Sequence, residues 1–501
     1  MFDAIGVSLS GLVFSGGAFY LCVGTFVGLL FGIIPGLGGP TALALLIPLT
    51  FGIDTQSAMF LAGAIMGAVP FGGSVTAILL NTPGTAPNAA TVFDGYPLSR
   101  QGKAGLALGA SGAASAIGGL LGVLVLFCVL PVAREIILAF APPEFFMLAV
   151  LGLCAIAVST EGKFLRGLIA AGIGLLIAYI GYDDISGTVR FAYGVDYLWD
   201  GLPLVPALIG LFAIAQILSL YVQGGSISED PAKVKVTRVM DGVKAVFVHY
   251  PTLLRGSVIG AVIGAIPGVG GTVAAFLSYS TEVQLSKDPE TYGTGNIRGV
   301  IAPESSNNAR EGGALIPTLA FGIPGSAEMA VFLGLLVLHG IQPGPAVLLN
   351  HLDVVTTLML ALAFASVLAS VFCLLVARQL AAITLIDVNY LVPVILCVSL
   401  VGAYALNNSM YDVIVAVVFG IIGYLMIRFD YPRLPLVIAM FLGAIVEVNF
   451  RQSMMISGGD WTTFFTHKIS LVLFILVVLS LTLPIVRQLV KRRGAKKEAK
   501  A

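Results

Sequence analysis

Apolar stretches long enough to cross a bilayer follow one another along the chain, and two of them are cut by the same short break. The stretches fall near 11–34, 57–80, 104–130, 136–158, 164–182 and 203–222, then near 253–283, 311–340, 346–377, 384–405, 411–427, 433–448 and 469–487. The first break reads Gly32-Ile33-Ile34-Pro35-Gly36-Leu37-Gly38-Gly39-Pro40. The second reads Gly264-Ala265-Ile266-Pro267-Gly268-Val269-Gly270-Gly271-Thr272. Pro35 and Pro267 stand 232 residues apart, with four glycines in register around them, and Gly28 matches Gly260. Proline removes a backbone donor and glycine loosens the chain, so both end a helix. Opened backbone at membrane depth is tolerated only where it is buried in protein or lines a wet cavity. Paired interruptions in corresponding places point to a transporter's binding site.

The remaining composition agrees. Of 501 residues, 58% are hydrophobic and 10% charged, against about 25% charged in soluble domains. The mean hydropathy is +1.00. The 26 basic and 26 acidic residues cancel, which leaves no basic footprint for nucleic acid. The first Lys or Arg is Arg100, so no cleavable signal is expected. Cys22, Cys128, Cys154, Cys373 and Cys397 sit in apolar runs and read as small core residues, with spacing that suits neither zinc nor disulfides. The four histidines are scattered and take no role, and Trp199 and Trp461 read as interface anchors.

The halves correspond beyond the break. Asn81-Thr82-Pro83-Gly84-Thr85-Ala86 matches Gly322-Ile323-Pro324-Gly325-Ser326-Ala327, preceded by Gly72-Gly73 and Gly312-Gly313. The chain therefore reads as an all-α polytopic membrane protein built from a duplication. Residues 1–222 and 250–460 are the transmembrane repeats, with broken helices or re-entrant segments. Residues 223–249 are a polar linker, and 461–501 hold a last helix and a basic tail. Basic residues mark the cytoplasmic side. The tail (Lys491, Arg492, Arg493, Lys496, Lys497, Lys500) and the linker (Lys233, Lys235, Arg238, Lys244) are expected there. Counting spans from them puts Arg100, Lys103, Lys163, Arg166, Arg378, Arg428 and Arg433 inside and Asp183, Asp184, Trp199, Asn350, His351, Asp353, Asn407 and Asn408 outside. The repeats are then inverted, with a periplasmic N-terminus. Lys287, Arg298 and Arg310 leave segment 284–310 without an assigned side.

Each break is expected to start a helix inside the membrane. Pro40 stands at the first position of a run from Thr41 to Leu49, and Thr272 serves as cap in the second copy. Such an end offers bare N–H groups and partial positive charge to a carboxylate without a formal cation. The apolar runs hold almost no Lys or Arg, so dipoles, amides and hydroxyls are expected to hold an anion. Asn81, Thr82, Thr85 and Asn88 follow the first break, and Ser305, Ser306, Asn307, Asn308 and Ser326 the second. Their simpler role is to cap helices and satisfy loosened backbone. As a group they read as substrate or ion contacts, since polar groups in lipid are costly. Glu304 is the carboxylate chosen for ion coupling, with Na⁺ or H⁺ as the ion, and unpaired carbonyls at the other helix ends offer a Na⁺ site near the breaks. The competing reading pairs it with Arg310 on a loop. Glu328 and Asp54 are the secondary choices.

Three signatures together resemble one family, the large membrane subunit of the tripartite tricarboxylate transporters (TctA family). They are the Gly-x-x-Pro-Gly-x-Gly-Gly break occurring twice, the stretch Ala302-Pro303-Glu304-Ser305-Ser306-Asn307-Asn308-Ala309, and Gly322-Ile323-Pro324-Gly325-Ser326. The resemblance covers essentially the whole chain. It implies a secondary transporter of the bacterial inner membrane that imports citrate or a related organic acid. A periplasmic solute-binding protein (TctC-like) delivers the acid, and a small membrane subunit (TctB-like) accompanies the large one. It also implies drive by an ion gradient, no catalysis and no organic cofactor. Matched motif positions give the expected binding residues: Pro35, Gly36, Gly38, Gly39, Asn81, Thr82, Pro83, Gly84, Pro267, Gly268, Gly270, Gly271, Ser305, Asn307, Asn308, Pro324, Gly325 and Ser326, with Glu304. Thr41, Thr85 and Thr272 join them from the helix-end argument. The alternatives are the permease of an ATP-driven importer, for which the chain has no P-loop, and a passive anion channel. A membrane-embedded enzyme lacks a His-Glu-x-x-His motif, and its nearest acidic pair is Asp183-Asp184.

Overall fold

The computed structural model describes residues 2–158, 164–183, 187–223, 238–381 and 388–482. Lys163, Asp184, Lys233, Lys235 and the basic residues from Lys491 onward lie outside them. Helices α1 (Phe2–Phe14) and α2 (Gly17–Ile33) lead to the first break, and α3 (Gly38–Leu46) with a 3-10 turn (Ile47–Thr50) leaves it. Then come α4 (Thr55–Leu80), α5 (Ala89–Arg100), α6 (Ala104–Leu138), α7 (Pro142–Val158) and α8 (Phe164–Ala178). Strands β1 (Gly181–Asp183) and β2 (Thr188–Arg190) form an antiparallel hairpin with Tyr182 opposite Val189. Helix α9 (Leu204–Leu208), a π turn (Ile209–Ile214) and α10 (Ala215–Gln223) run on without interruption. The second half opens with α11 (Val239–Val248) and α12 (Tyr250–Gly264), then α13 (Gly270–Leu285), α14 (Arg298–Phe321), α15 (Ala327–Leu338) and α16 (Pro345–Asn350). Helices α17 (Leu352–Ala381), α18 (Val388–Asn407), α19 (Met410–Arg428), α20 (Arg433–Ile456) and α21 (Thr463–Thr466) follow, and an apolar helix at Lys468–Thr482 ends the described chain. Among the described residues seven helices are long and apolar enough to cross a membrane, or up to nine if each bent pair is one span. The protein is an all-α, multi-pass membrane protein.

Two expected boundaries move. The second half's polar stretch is helical from Arg298, so the helix expected from residue 311 starts more than three turns earlier. Glu304, Asn307, Asn308, Arg310 and Glu311 lower its hydropathy, yet all are buried. Part of the expected linker is helix α11, bent 79° from α12. It packs on α6 through Gly109 and Gly242, where neither position leaves room for a Cβ.

The described residues pack as two compact units. One is drawn from Met1–Arg134, Val205–Ile266 and Gly270–Leu425, and the other from Glu135–Leu204, Pro267–Val269 and Met426–Ala501. In the first, Leu29, Phe71, Val75, Leu108, Val300 and Cys373 share one core from α2, α4, α6, α14 and α17. Close approach defines its helix pairs. On α2, Gly24, Gly28 and Gly32 lie against the carbonyls of Leu61, Ile65 and Val69 of α4. On α12, Gly256, Gly260 and Gly264 lie against the carbonyls of Ala302, Ser306 and Arg310 of α14. A Cβ at any of the six would collide with backbone. Small residues spaced by four let helices approach this closely in lipid, where packing replaces the hydrophobic drive. The glycines match at a spacing of 232 residues and their partners at 241. The extra nine residues fall between the second break and α14, in a longer helix α13 and a longer loop after it.

The second unit pairs α20 with α7 and α8 and stacks Phe450 on Phe464 at 5.8 Å between ring centroids. Its hairpin is pinned by Arg451 to Asp183 at 2.9 Å and Arg190 to Glu447 at 2.7 Å. Asp183 is therefore one member of an ion pair that holds a hairpin. The cysteine expectation fails for most positions. Cys373 is buried, Cys154 intermediate, and Cys22, Cys128 and Cys397 exposed. In a membrane protein an apolar run has an outer face as apolar as its core. Trp199 and Trp461 are 52% and 62% exposed.

Candidate functional site

The two breaks have the same backbone. Gly36 and Gly38 take φ of 88° and 61°, and Gly268 and Gly270, at the matching positions, take 81° and 77°. Only glycine adopts this left-handed region at little cost. Helix α3 starts at Gly38 and α13 at Gly270, so Pro40 lies at the third position of its helix. Thr272 lies inside the first turn of α13 and does not cap it. Thr41 spends its hydroxyl on the Phe212 carbonyl at 3.2 Å.

The paired loops after α4 and α14 also match. Asn81 and Gly322 end those helices in the left-handed conformation, with φ of 58° and 69°. Thr82 N–H donates to the Thr76 carbonyl, and Ile323 N–H donates to that of Pro317. Gly84 packs on the Gly32 carbonyl and Gly325 on that of Gly264, so each loop closes over the helix end of its own break. Gly36 N–H donates to the Gly84 carbonyl at 3.4 Å. Ser326 caps α15 by accepting from Met329 N–H at 3.3 Å, and Thr85 and Asn88 form a capping box. Thr82, Thr85 and Ser326 thus use their hydroxyls on helix ends and turns, and Asn81 ends α4 through its backbone N–H. Pro35, Pro83, Pro267 and Pro324 lie in the non-helical connections around these ends.

Each loop then reaches the other half's break. A Cβ on Gly39 would meet Glu328 Oε1 at 2.5 Å, and one on Gly271 would meet Pro87 Cγ at 2.9 Å and Arg310 Nε at 2.7 Å. Gly39 matches Gly271 and Pro87 matches Glu328, so the contacts exchange when the halves are exchanged. That is the mark of a local pseudo-two-fold relation.

Between the breaks lies a buried ion cluster. Arg310 Nη2 donates to Glu311 and, at 3.1 Å, to Glu328 Oε2. The side chains of Arg310, Glu311 and Glu328 are 5%, 1% and 14% exposed. A formal cation therefore stands beside the second break, where the sequence had suggested dipoles and hydroxyls alone. Arg310 is neither on a loop nor paired with Glu304.

Glu304 has its own enclosure. It is fully buried on α14. Ser74 Oγ donates to it at 2.6–2.7 Å, and Ser111 and Ser115 at 2.9 Å each. Thr91 Oγ1 donates as well. Asn88 Nδ2 steadies this shell by donating to Ser74 Oγ at 2.8 Å. Among the described residues no cation pairs with Glu304. On the same helix Ser305 donates to the Ala302 carbonyl at 3.1 Å, and Asn308 Nδ2 reaches the Gly67 carbonyl at 3.4 Å. Ser306 Oγ, Asn308 Oδ1 and both polar atoms of the Asn307 side chain are buried without a protein partner.

Sequence reasoning missed Ser74, Thr91, Ser111, Ser115 and Glu311, and took Arg310 only as a marker of membrane side or a partner of Glu304. Ser111 and Ser115, four apart in the apolar stretch 104–133 of α6, form a polar pair on one face and were the available signal.

The profile of the family described as "Tripartite tricarboxylate transporter TctA family" matches residues 18–438. An Agrobacterium vitis protein described as "Uncharacterized 52.8 kDa protein in TAR-I ttuC' 3'region" is 34% identical over 451 residues, or 89% of each chain. A second, "Uncharacterized protein in TAR-II ttuC' 3'region" from the same organism, is 36% identical over 211 residues, or 42% of this chain and 87% of its own. No solved structure matches at a significant level.

Proposed function

Because this chain belongs to the tripartite tricarboxylate transporter TctA family, we propose that it is the membrane subunit that carries an organic carboxylate inward on an ion gradient. The observation behind this reading is the meeting of both broken segments on one buried ion cluster. The bare amide ends of α3 and α13 and the Arg310 guanidinium are the groups that receive the anion. Pro35, Gly36, Gly38 and Gly39 with Pro267, Gly268, Gly270 and Gly271 give the helix ends their exposed backbone. Asn81–Thr85 and Pro324–Ser326 hold those ends in place, and Ser305, Asn307 and Asn308 supply polar contacts. The repeats have opposite membrane sense and rock about this centre, opening it first to the periplasm and then to the cytoplasm. A periplasmic receptor delivers the acid, and a small membrane subunit stands beside this one. The setting is the bacterial inner membrane, with the C-terminus cytoplasmic and the N-terminus periplasmic.

Glu304 takes the coupling ion, a proton or Na⁺. Its support is a buried carboxylate without a counter-charge, since burying a lone charge is costly until it is neutralised. The test is uptake of [¹⁴C]citrate and a panel of di- and tricarboxylates into vesicles holding the reconstituted subunits. An imposed Na⁺ or proton gradient without ATP is expected to drive accumulation. A requirement for ATP, or equilibration without accumulation, would favour the ATP-driven permease or the passive channel. In Glu304→Gln, accumulation is expected to lose part of its ion dependence. Unchanged ion dependence would remove Glu304 from that role.

A further inference from the structure

Two carboxylates, Glu311 buried and Glu328 partly buried, share one guanidinium at the junction of the breaks, and the mismatch has a chemical consequence. We propose that Glu311 and Glu328 form a second cation site, for one proton or one sodium ion, and that its occupation releases Arg310 to bind a substrate carboxylate. The inference rests on the importer reading above and names how its site is switched.

The geometry sets up the imbalance. Arg310 Nη2 serves both Glu311 and Glu328. With all three ionised, the cluster carries one excess negative charge in a place water scarcely reaches. A charge in that setting is neutralised by a proton or a bound ion. Among the described residues no other charge nearby does this. Helix α4 has no charged residue, and Arg255 of α12 and Glu282 of α13 pair with each other at 2.5 Å. Glu304, two turns before Glu311, is held by its own hydroxyls.

The cluster also has free oxygen. Glu311 Oε2 is buried without a protein partner. Asn307 stands one helical turn before it on the same face of α14, and both its amide atoms are likewise buried and unpartnered. A carboxylate oxygen and an amide oxygen at this spacing suit a hard monovalent cation, and the carboxylate alone suits a proton.

Position links this charge to the breaks. Glu328 fills the space over Gly39, and Arg310 fills the space over Gly271. While both carboxylates are charged, an arriving anion would place a third negative charge around one guanidinium. When a cation neutralises one of them, Arg310 can exchange that partner for the substrate. Substrate binding then requires the cation, which is the coupling a symporter needs.

The experiment uses the purified full-length protein with Glu311→Gln and Glu328→Gln. Gln keeps the shape and still accepts from Arg310. Equilibrium binding of ²²Na⁺ gives the sodium arm. Infrared difference spectroscopy of protonated carboxyls across a pH titration gives the proton arm. Each variant is expected to bind one cation fewer per chain in one arm, which identifies the ion. [¹⁴C]citrate binding is expected to lose a cation dependence of about tenfold or more. Wild-type cation stoichiometry in both variants would overturn the proposal. If Glu311→Gln does not fold, the more exposed Glu328→Gln carries the same test. A wild type that accumulates no carboxylate would instead sink the importer reading, and the two cation arms would still decide this site.

Discussion

Asp54 shows how one residue can be weighed for two roles. It stood among the secondary choices for ion coupling, but its Oδ1 accepts from Ser57 N–H at 2.9 Å and caps α4. Partial burial opposes its charge, yet the hydrogen bonds from Ser57 outweigh this and hold it below the ordinary 3.8. A carboxyl depressed in the folded state contributes stability above its unfolded value and loses it as pH falls through the lower, folded value. Asp54→Ala should therefore cost about 1 kcal/mol at neutral pH. The gap from wild type should close as pH is taken well below 3.8. Thermal unfolding in detergent across that range checks it, and a gap independent of pH would count against the cap. Glu304 was legible as a carboxylate among apolar spans, but its hydroxyls come from positions 189 to 230 residues away. Arg310 was misread for a related reason. Beside Lys287 and Arg298 it looked like a marker of membrane side, because linear order does not show that Glu328 returns to pair with it.

At the scale of elements, α5 fixes the entry to α14. Asp94, fully buried on α5, accepts at Oδ1 from the N–H groups of Gly293, Gly295 and Asn296 at 2.7–2.9 Å. Its Oδ2 accepts from Tyr279 Oη at 2.9 Å. A carboxylate holding three amides just ahead of a helix satisfies backbone that would otherwise be orphaned. Asp94→Ala should loosen the 286–297 loop at about 1.5–3 kcal/mol for each charge-assisted bond lost. Hydrogen exchange at 293–296 should rise while the core of α4 stays protected. Unchanged exchange there would mean the loop is held by other contacts. This anchor explains why the pattern of spans was only partly readable. The breaks, the glycine spacing and most apolar helices follow from local chemistry. Helix α14 does not, because its polar residues are compensated by α4, α5, α6 and α15, and hydropathy cannot see a partner on another element.

Over the whole molecule, the repeated sequence becomes a reciprocal contact. The loop of each half lies on the break of the other, so motion of one half relative to the other must break or remake both contacts together. Phe93 of α5 and Phe276 of α13 join the halves beside this place, with ring centroids 5.8 Å apart. If the halves rock, a covalent tie there arrests the cycle, whereas a passive channel with a fixed pore keeps conducting. Phe93→Cys with Phe276→Cys, in a background without the five native cysteines, should react with a short bifunctional methanethiosulfonate reagent. Accumulation should fall about tenfold or more, as expected where closure gates turnover, and return on reduction. Each single-cysteine control should keep its rate under the same reagent. Full uptake by protein shown to be cross-linked would mean that these helices do not part during transport. The moving boundary would then lie elsewhere in the repeats, and the ion cluster would have to act without separating the two breaks.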